Sequence, residues 1–129
     1  MPISQSPILQ VASHALATLF VGFGINAIVR PANALTFFEW QPPVEAAELK
    51  VLEGLLAVYG VRDIFMGFAL YAAGIWGTKK SLGWTMIAAS AVAFADGYIC
   101  FVHGKGQMNH WGYAPILTVV GALLAGFLD

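Results

Sequence analysis

Charge is what this sequence has least of. Only 10% of its 129 residues are Asp, Glu, Lys or Arg, against about a quarter in an average soluble domain. With 59% of residues hydrophobic, that shortfall excludes a disordered chain and argues against an ordinary soluble globule. The net charge is -1, and the basic residues Arg30, Lys50, Arg62, Lys79, Lys80 and Lys105 are scattered. They offer no surface to nucleic acid and no polybasic run to an anionic membrane surface. Cys100 is the only cysteine, which rules out an intrachain disulfide and a cysteine metal cluster. No Lys or Arg precedes Arg30, so the first apolar stretch reads as a membrane span rather than a signal peptide or a mitochondrial presequence. A nucleotide loop, a dinucleotide fingerprint and a serine elbow are also missing, which disfavours redox and ATP-driven roles.

What the chain does have is long apolar runs. A helix needs about 20 apolar residues to cross a bilayer. The pattern predicts an all-α fold, a four-helix transmembrane bundle of up-down topology forming one integral membrane domain over residues 1–129. Its multi-pass spans are expected at about 8–29, 51–77, 82–102 and 113–128. Arg30-Pro31 closes the first span, because proline disfavours continuing the helix. Thr78 to Ser81 is a polar turn, and His103 to His110 is a glycine-broken polar loop. Small residues recur at four-residue spacing (Ala69, Ala73, Gly77; Ala89, Ala93, Gly97; Gly121, Ala125) and permit close helix approach. Phe37, Phe38 and Trp40 are natural interface residues. Lys and Arg fall on both sides, so they do not fix the orientation.

Arg62 and Asp63 break the second run near its middle. Charges there cost about 2.5–3.5 kcal/mol each on insertion scales, so partners are expected. Threading the spans up and down puts the loops after the first and third on one face. Arg30 lies at that face, Glu53 about one turn below it and Asp96 about two turns below, while His103 and His110 flank the second loop. Adjacent helical residues point about 100° apart, so Arg62 and Asp63 should reach different partners. Arg62 is assigned to Asp96, and Asp63 to Arg30, His14, Asn26 or a hydroxyl. Asp96, Cys100 and His103 share one side of the third span, and Tyr59 and Asp63 one side of the second.

The strings G-V-R-D-x-x-x-G, D-G-Y-I-C-F-V-H-G and N-H-W-G, in that order, resemble a family of small four-helix integral membrane proteins. That family is catalogued as a domain of unknown function and is found largely in filamentous fungi, with bacterial relatives. The resemblance spans nearly the whole chain. It implies matching positions at Arg30-Pro31, Gly60, Arg62, Asp63, Gly67, Asp96, Gly97, His103, Gly104 and His110. It implies a setting among fungal secondary-metabolite genes but no established reaction, so no catalytic role transfers.

The residues themselves point to a one-sided polar pocket. Arg62, Asp63, Asp96, His103 and His110 are the catalytic candidates, with Arg30, Asn26, Glu53 and Tyr59 as substrate-binding candidates. A lipophilic small molecule would enter from the bilayer or from the His103/His110 face, Asp96 or Asp63 would supply a proton, a histidine would remove one, and Arg62 would hold an oxygen function. Such cofactor-free chemistry suits an isomerisation, a cyclisation or a ring opening. Asp96, His103 and His110 match no familiar metal-ligand spacing, so neither metal nor cofactor is expected. The competing reading is a non-catalytic helper subunit or small carrier whose charges lock the bundle. Membrane lipid, a second copy and a larger membrane enzyme are the partners it would meet.

Overall fold

The computed structural model describes residues 1–129 and contains helices and turns but no strand. A 3-10 turn at Ile3–Gln5 leads into α1 (Pro7–Val29) and α2 (Pro31–Leu35), and a second turn at Thr36–Phe38 follows. Then come α3 (Ala46–Trp76), α4 (Lys79–Val102), α5 (Met108–Trp111) and α6 (Ala114–Leu124). Helices α1, α3 and α4, of 23, 31 and 24 residues, are long and apolar enough to cross a membrane. They cover the first three expected spans with their ends shifted by a few residues.

The local chemistry of the ends explains those shifts. Helix α1 stops at Arg30, whose φ of -137° leaves the helical region, and Pro31 opens α2 at a first-turn position where its missing N–H is not needed. Helix α4 starts earlier than expected because Thr78 and Ser81 form a capping box, with bonds of 3.0 and 2.8 Å.

Within the fourth expected span, 113–128, the helix is shorter than the apolar run. Helix α6 has 11 residues and is about 16 Å long, roughly half of the ~30 Å hydrocarbon core. It ends because Gly126 adopts φ 86°. Gly126 N–H then donates to the Leu123 carbonyl and Phe127 N–H to the Ala122 carbonyl, both at 3.2 Å, the Schellman pair that closes a helix. Beyond it, the Asp129 carboxylate accepts from Ser4 N–H at 2.9 Å and from the Ser4 hydroxyl at 2.5 Å.

Helix α1 packs along α3, and α4 along α6. Glycine makes both contacts close: Gly24 faces Gly60, Gly67 faces Ala17, and Gly83 faces Gly121. Ala17, Phe20, Leu70, Met86 and Leu117 form the centre of the buried core. The outer face of α3 stays apolar, with Val58, Val61, Phe65 and Phe68 all exposed.

The two segments expected as loops are partly helical, and they clasp each other. The turn Thr36–Phe38 lies over one end of the bundle. The Asn109 amide donates to the Phe37 carbonyl at 2.9 Å. Gly106, at φ 95°, presses against the Phe38 carbonyl. A Cβ there would sit 2.5 Å from the Phe38 carbonyl carbon. Gly106→Ala should therefore open the clasp, read as faster hydrogen exchange at residues 36–40 and 106–110. Gly104, at φ 107° with open space around it, is the control: Gly104→Ala carries only the backbone strain of about 1–3 kcal/mol, without the collision.

Candidate functional site

The expected pair forms. Arg62 on α3 donates from Nη1 to Asp96 Oδ1 at 3.2 Å and from Nη2 to Asp96 Oδ2 at 2.7 Å. This is a bidentate bridge between α3 and α4, the geometry in which a planar guanidinium binds carboxylate best. Of the partners expected for Asp63, Arg30, His14 and Asn26 are not reached; its Oδ1 lies 3.7 Å from Arg62 Nη2, and the hydroxyl that bears on it is that of Tyr59. The long arginine side chain curls so that its head stands between two carboxylates, overcoming the divergence of the two Cβ directions. Tyr59, one turn earlier, places its ring 4.6 Å from the guanidinium carbon, a cation–π contact. Asp63 and Asp96 are buried, while the Arg62 side chain remains 38% exposed.

Several other candidates lie elsewhere. Asn26 donates to the Asn33 side chain at 3.0 Å. Arg30 and Glu53 border a separate recess of about 450 Å³ between α2 and the start of α3. His103 is exposed, and its Nδ1 sits 2.9 Å from the Ile99 carbonyl oxygen of its own helix. Its ring leans on Trp40 at 5.7 Å. Helix α4 ends at Val102, so the shared face continues only through Asp96 and Cys100, both buried. Asp96, His103 and His110 do not converge as a ligand set. The candidates thus fall in three places, the Arg62 cluster, the Arg30–Glu53 recess and the surroundings of His110, with His103 outside them.

His110 is the candidate that gains most. Gly97 leaves space for the Trp111 ring against α4, and the Trp111 indole N–H donates to the Phe94 carbonyl at 3.1 Å. That bond brings α5 down onto the bundle and turns His110 inward, where it is 3% exposed. Its ring packs near Phe38 at 5.1 Å and Tyr113 at 6.5 Å. Neither ring nitrogen has a protein partner. The ring faces a cavity of about 200 Å³ whose other walls include Phe23, Phe37, Tyr59, Asn109 and Tyr113. The Arg62–Asp96 pair is not a wall of this cavity but stands behind Tyr59. Phe37 and Tyr113, read from the sequence as interface residues, and Phe23, which carries no such signal, stand here as cavity walls. Tyr113 follows His110 by three residues, and that one-turn spacing was the only local signal.

Burial lowers the His110 pKa from the ordinary 6.5; the charge of Asp96 works against that shift, and Arg62 adds to it. The ring is therefore neutral at pH 7. A histidine whose folded pKa is depressed takes its proton first when the structure opens, so stability holds above about pH 6.5 and falls as pH drops through it. The thermal midpoint should decline between pH 7 and 5, with a shallower slope in His110→Phe.

Residues 17–124 match the family described as Domain of unknown function (DUF4267). The chain belongs to that family. No curated protein and no solved structure matches it. The DUF4267 region contains the Arg62–Asp96 pair and every wall of the His110 cavity. The Ser4–Asp129 clasp falls outside it. The family description assigns no reaction.

Proposed function

We propose that the chain is a multi-pass integral membrane protein that takes a lipophilic small molecule into the His110 cavity and shifts a proton on it. In this reading α6, extended by the turns on either side, completes an up-down bundle with the three long helices. The observation that carries the proposal is one buried imidazole, both nitrogens free, facing a cavity otherwise walled mainly by aromatics. Polar groups that converge on an apolar pocket mark a default site.

The neutral imidazole would remove a proton from the bound molecule, the Tyr59 or Tyr113 hydroxyl would return one at another atom, and the imidazolium would then pass its proton to the tyrosinate, restoring both groups. Composition is unchanged, so the reaction class is an isomerisation or a cyclisation; a lipophilic secondary metabolite is a fitting substrate. Arg62, Asp63 and Asp96 act behind Tyr59 by holding it in place. The test is turnover of candidate lipophilic intermediates by the purified chain in nanodiscs. Loss of turnover in His110→Phe, with the thermal midpoint retained, supports the enzyme.

A second reading draws on the bidentate Arg62–Asp96 bridge, which satisfies the charges within the bundle. A buried pair of this kind serves register as readily as chemistry. The chain would then be a helper subunit of a larger membrane enzyme, or a carrier. Turnover that appears only when a second protein is added favours this reading.

A further inference from the structure

The His110 cavity does not end at its aromatic walls. A second, wholly apolar cavity of about 110 Å³ lies next to it, lined by Leu16, Leu19, Phe20, Phe23 and Tyr113. Phe23 and Tyr113 belong to both, so the two cavities adjoin across these two side chains. From Leu16 to Phe23 the groove follows α1 for about 10 Å at 1.5 Å per residue, the reach of a medium alkyl or prenyl chain. Leu19 and Phe23 are 53% and 37% exposed, so this limb opens sideways, where a bilayer would lie.

The two limbs differ in chemistry. The tail limb presents no polar side chain except the Tyr113 hydroxyl at its junction. The head limb has rings on several sides and the unpaired imidazole of His110. An apolar cavity of about 150 Å³ already holds benzene, so about 200 Å³ accommodates one substituted ring. We infer that the site takes a single-tailed amphiphile with a hydroxylated aromatic head, an alkyl- or prenylphenol, whose hydroxyl donates to His110 while its tail lies along α1. A carboxylate head fits poorly, because Asp63 and Asp96 together outnumber Arg62 behind Tyr59. A quaternary ammonium would find aromatic walls but would leave the imidazole unpaired.

The inference rests on the cavity reading proposed above, and one experiment separates the two. Tritiated 4-nonylphenol is titrated against the protein in nanodiscs, with empty nanodiscs subtracted. Nonylbenzene, nonanoate and dodecyltrimethylammonium serve as competitors. Saturable binding is expected, with nonylbenzene about tenfold weaker, the effect of one hydrogen bond. His110→Phe should abolish that difference, and Leu19→Trp should weaken both ligands. Equal binding of nonylphenol and nonylbenzene overturns the hydroxyl anchor but leaves the cavity reading intact. Stronger competition by nonanoate or the ammonium overturns the head class. No saturable binding of any probe overturns both proposals. If His110→Phe does not fold, a diazirine-tailed phenol decides the matter on the native chain. Its label must fall within residues 16–23 and 113–120, and label confined to other segments overturns the inference.

Discussion

Arg62→Leu should destabilise the chain by about 3 kcal/mol, the low end of the range for breaking a buried ion pair, because the Arg62 side chain is 38% exposed. The loss is large because one side chain serves two carboxylates. Without it Asp96 loses bonds of 3.2 and 2.7 Å, and Asp63 loses the charge 3.7 Å away. The reciprocal change should be milder. In Asp96→Leu the guanidinium still has Asp63 and the Tyr59 ring, so the loss should be nearer 1–3 kcal/mol, that of its hydrogen bonds. Reversible unfolding in mixed micelles checks both. Equal costs for the two variants would mean that Arg62 is not shared. A cost below about 0.5 kcal/mol for Arg62→Leu, the range of ordinary surface changes, would remove the pair from any role in stability.

Gly60→Val is expected to drive α1 and α3 apart. A Cβ at Gly60 would collide with the Gly24 carbonyl oxygen and lie 2.8 Å from Ile28 Cγ1 and 3.2 Å from Ala27 Cβ. The first of these is backbone and cannot swing aside. Overpacking of this kind costs about 1–3 kcal/mol, sometimes more. Gly60 also sits between Tyr59 and Arg62 in the chain, so moving α3 shifts both the cavity wall and the ion pair. Gly54→Val on the same helix has open space around the added carbon and serves as the control. The thermal midpoint should fall in Gly60→Val and stay near the native value in Gly54→Val. Combining Gly24→Ala with Gly60→Ala should cost less than the sum of the two, since both act on one crossing.

Much of the architecture was legible because it depends on runs and spacings. Apolar runs longer than about 20 residues impose long helices, and Arg30-Pro31 and Thr78–Ser81 mark their ends by backbone chemistry. Up-and-down threading was enough to pair Arg62 with Asp96, because each is the strongest opposite charge at a similar depth. It did not bring Asp63 to Arg30, His14 or Asn26, because reading Cβ directions ignores how far an arginine head can travel. It failed for His103, because a helix face means nothing one residue past the helix end. Arg30 and Glu53 were placed by depth alone, and depth does not say which side of α3 a residue occupies.

The sequence alone determined the helical class, the three helices long and apolar enough to cross a membrane, and the Arg62–Asp96 pair. These follow from the length of the apolar runs and the expense of unpaired charge in an apolar setting, both of which act locally or between neighbouring helices. Only the tertiary structure decided that His110 is buried, that α6 stops at Leu124 and that Phe23, Phe37 and Tyr113 meet around one space. Those features depend on a left-handed Gly126, on Trp111 fitting against Gly97, and on a clasp between residues 36–40 and 106–109. Each joins residues distant in the chain, or turns on a single backbone angle, and no periodic pattern records it.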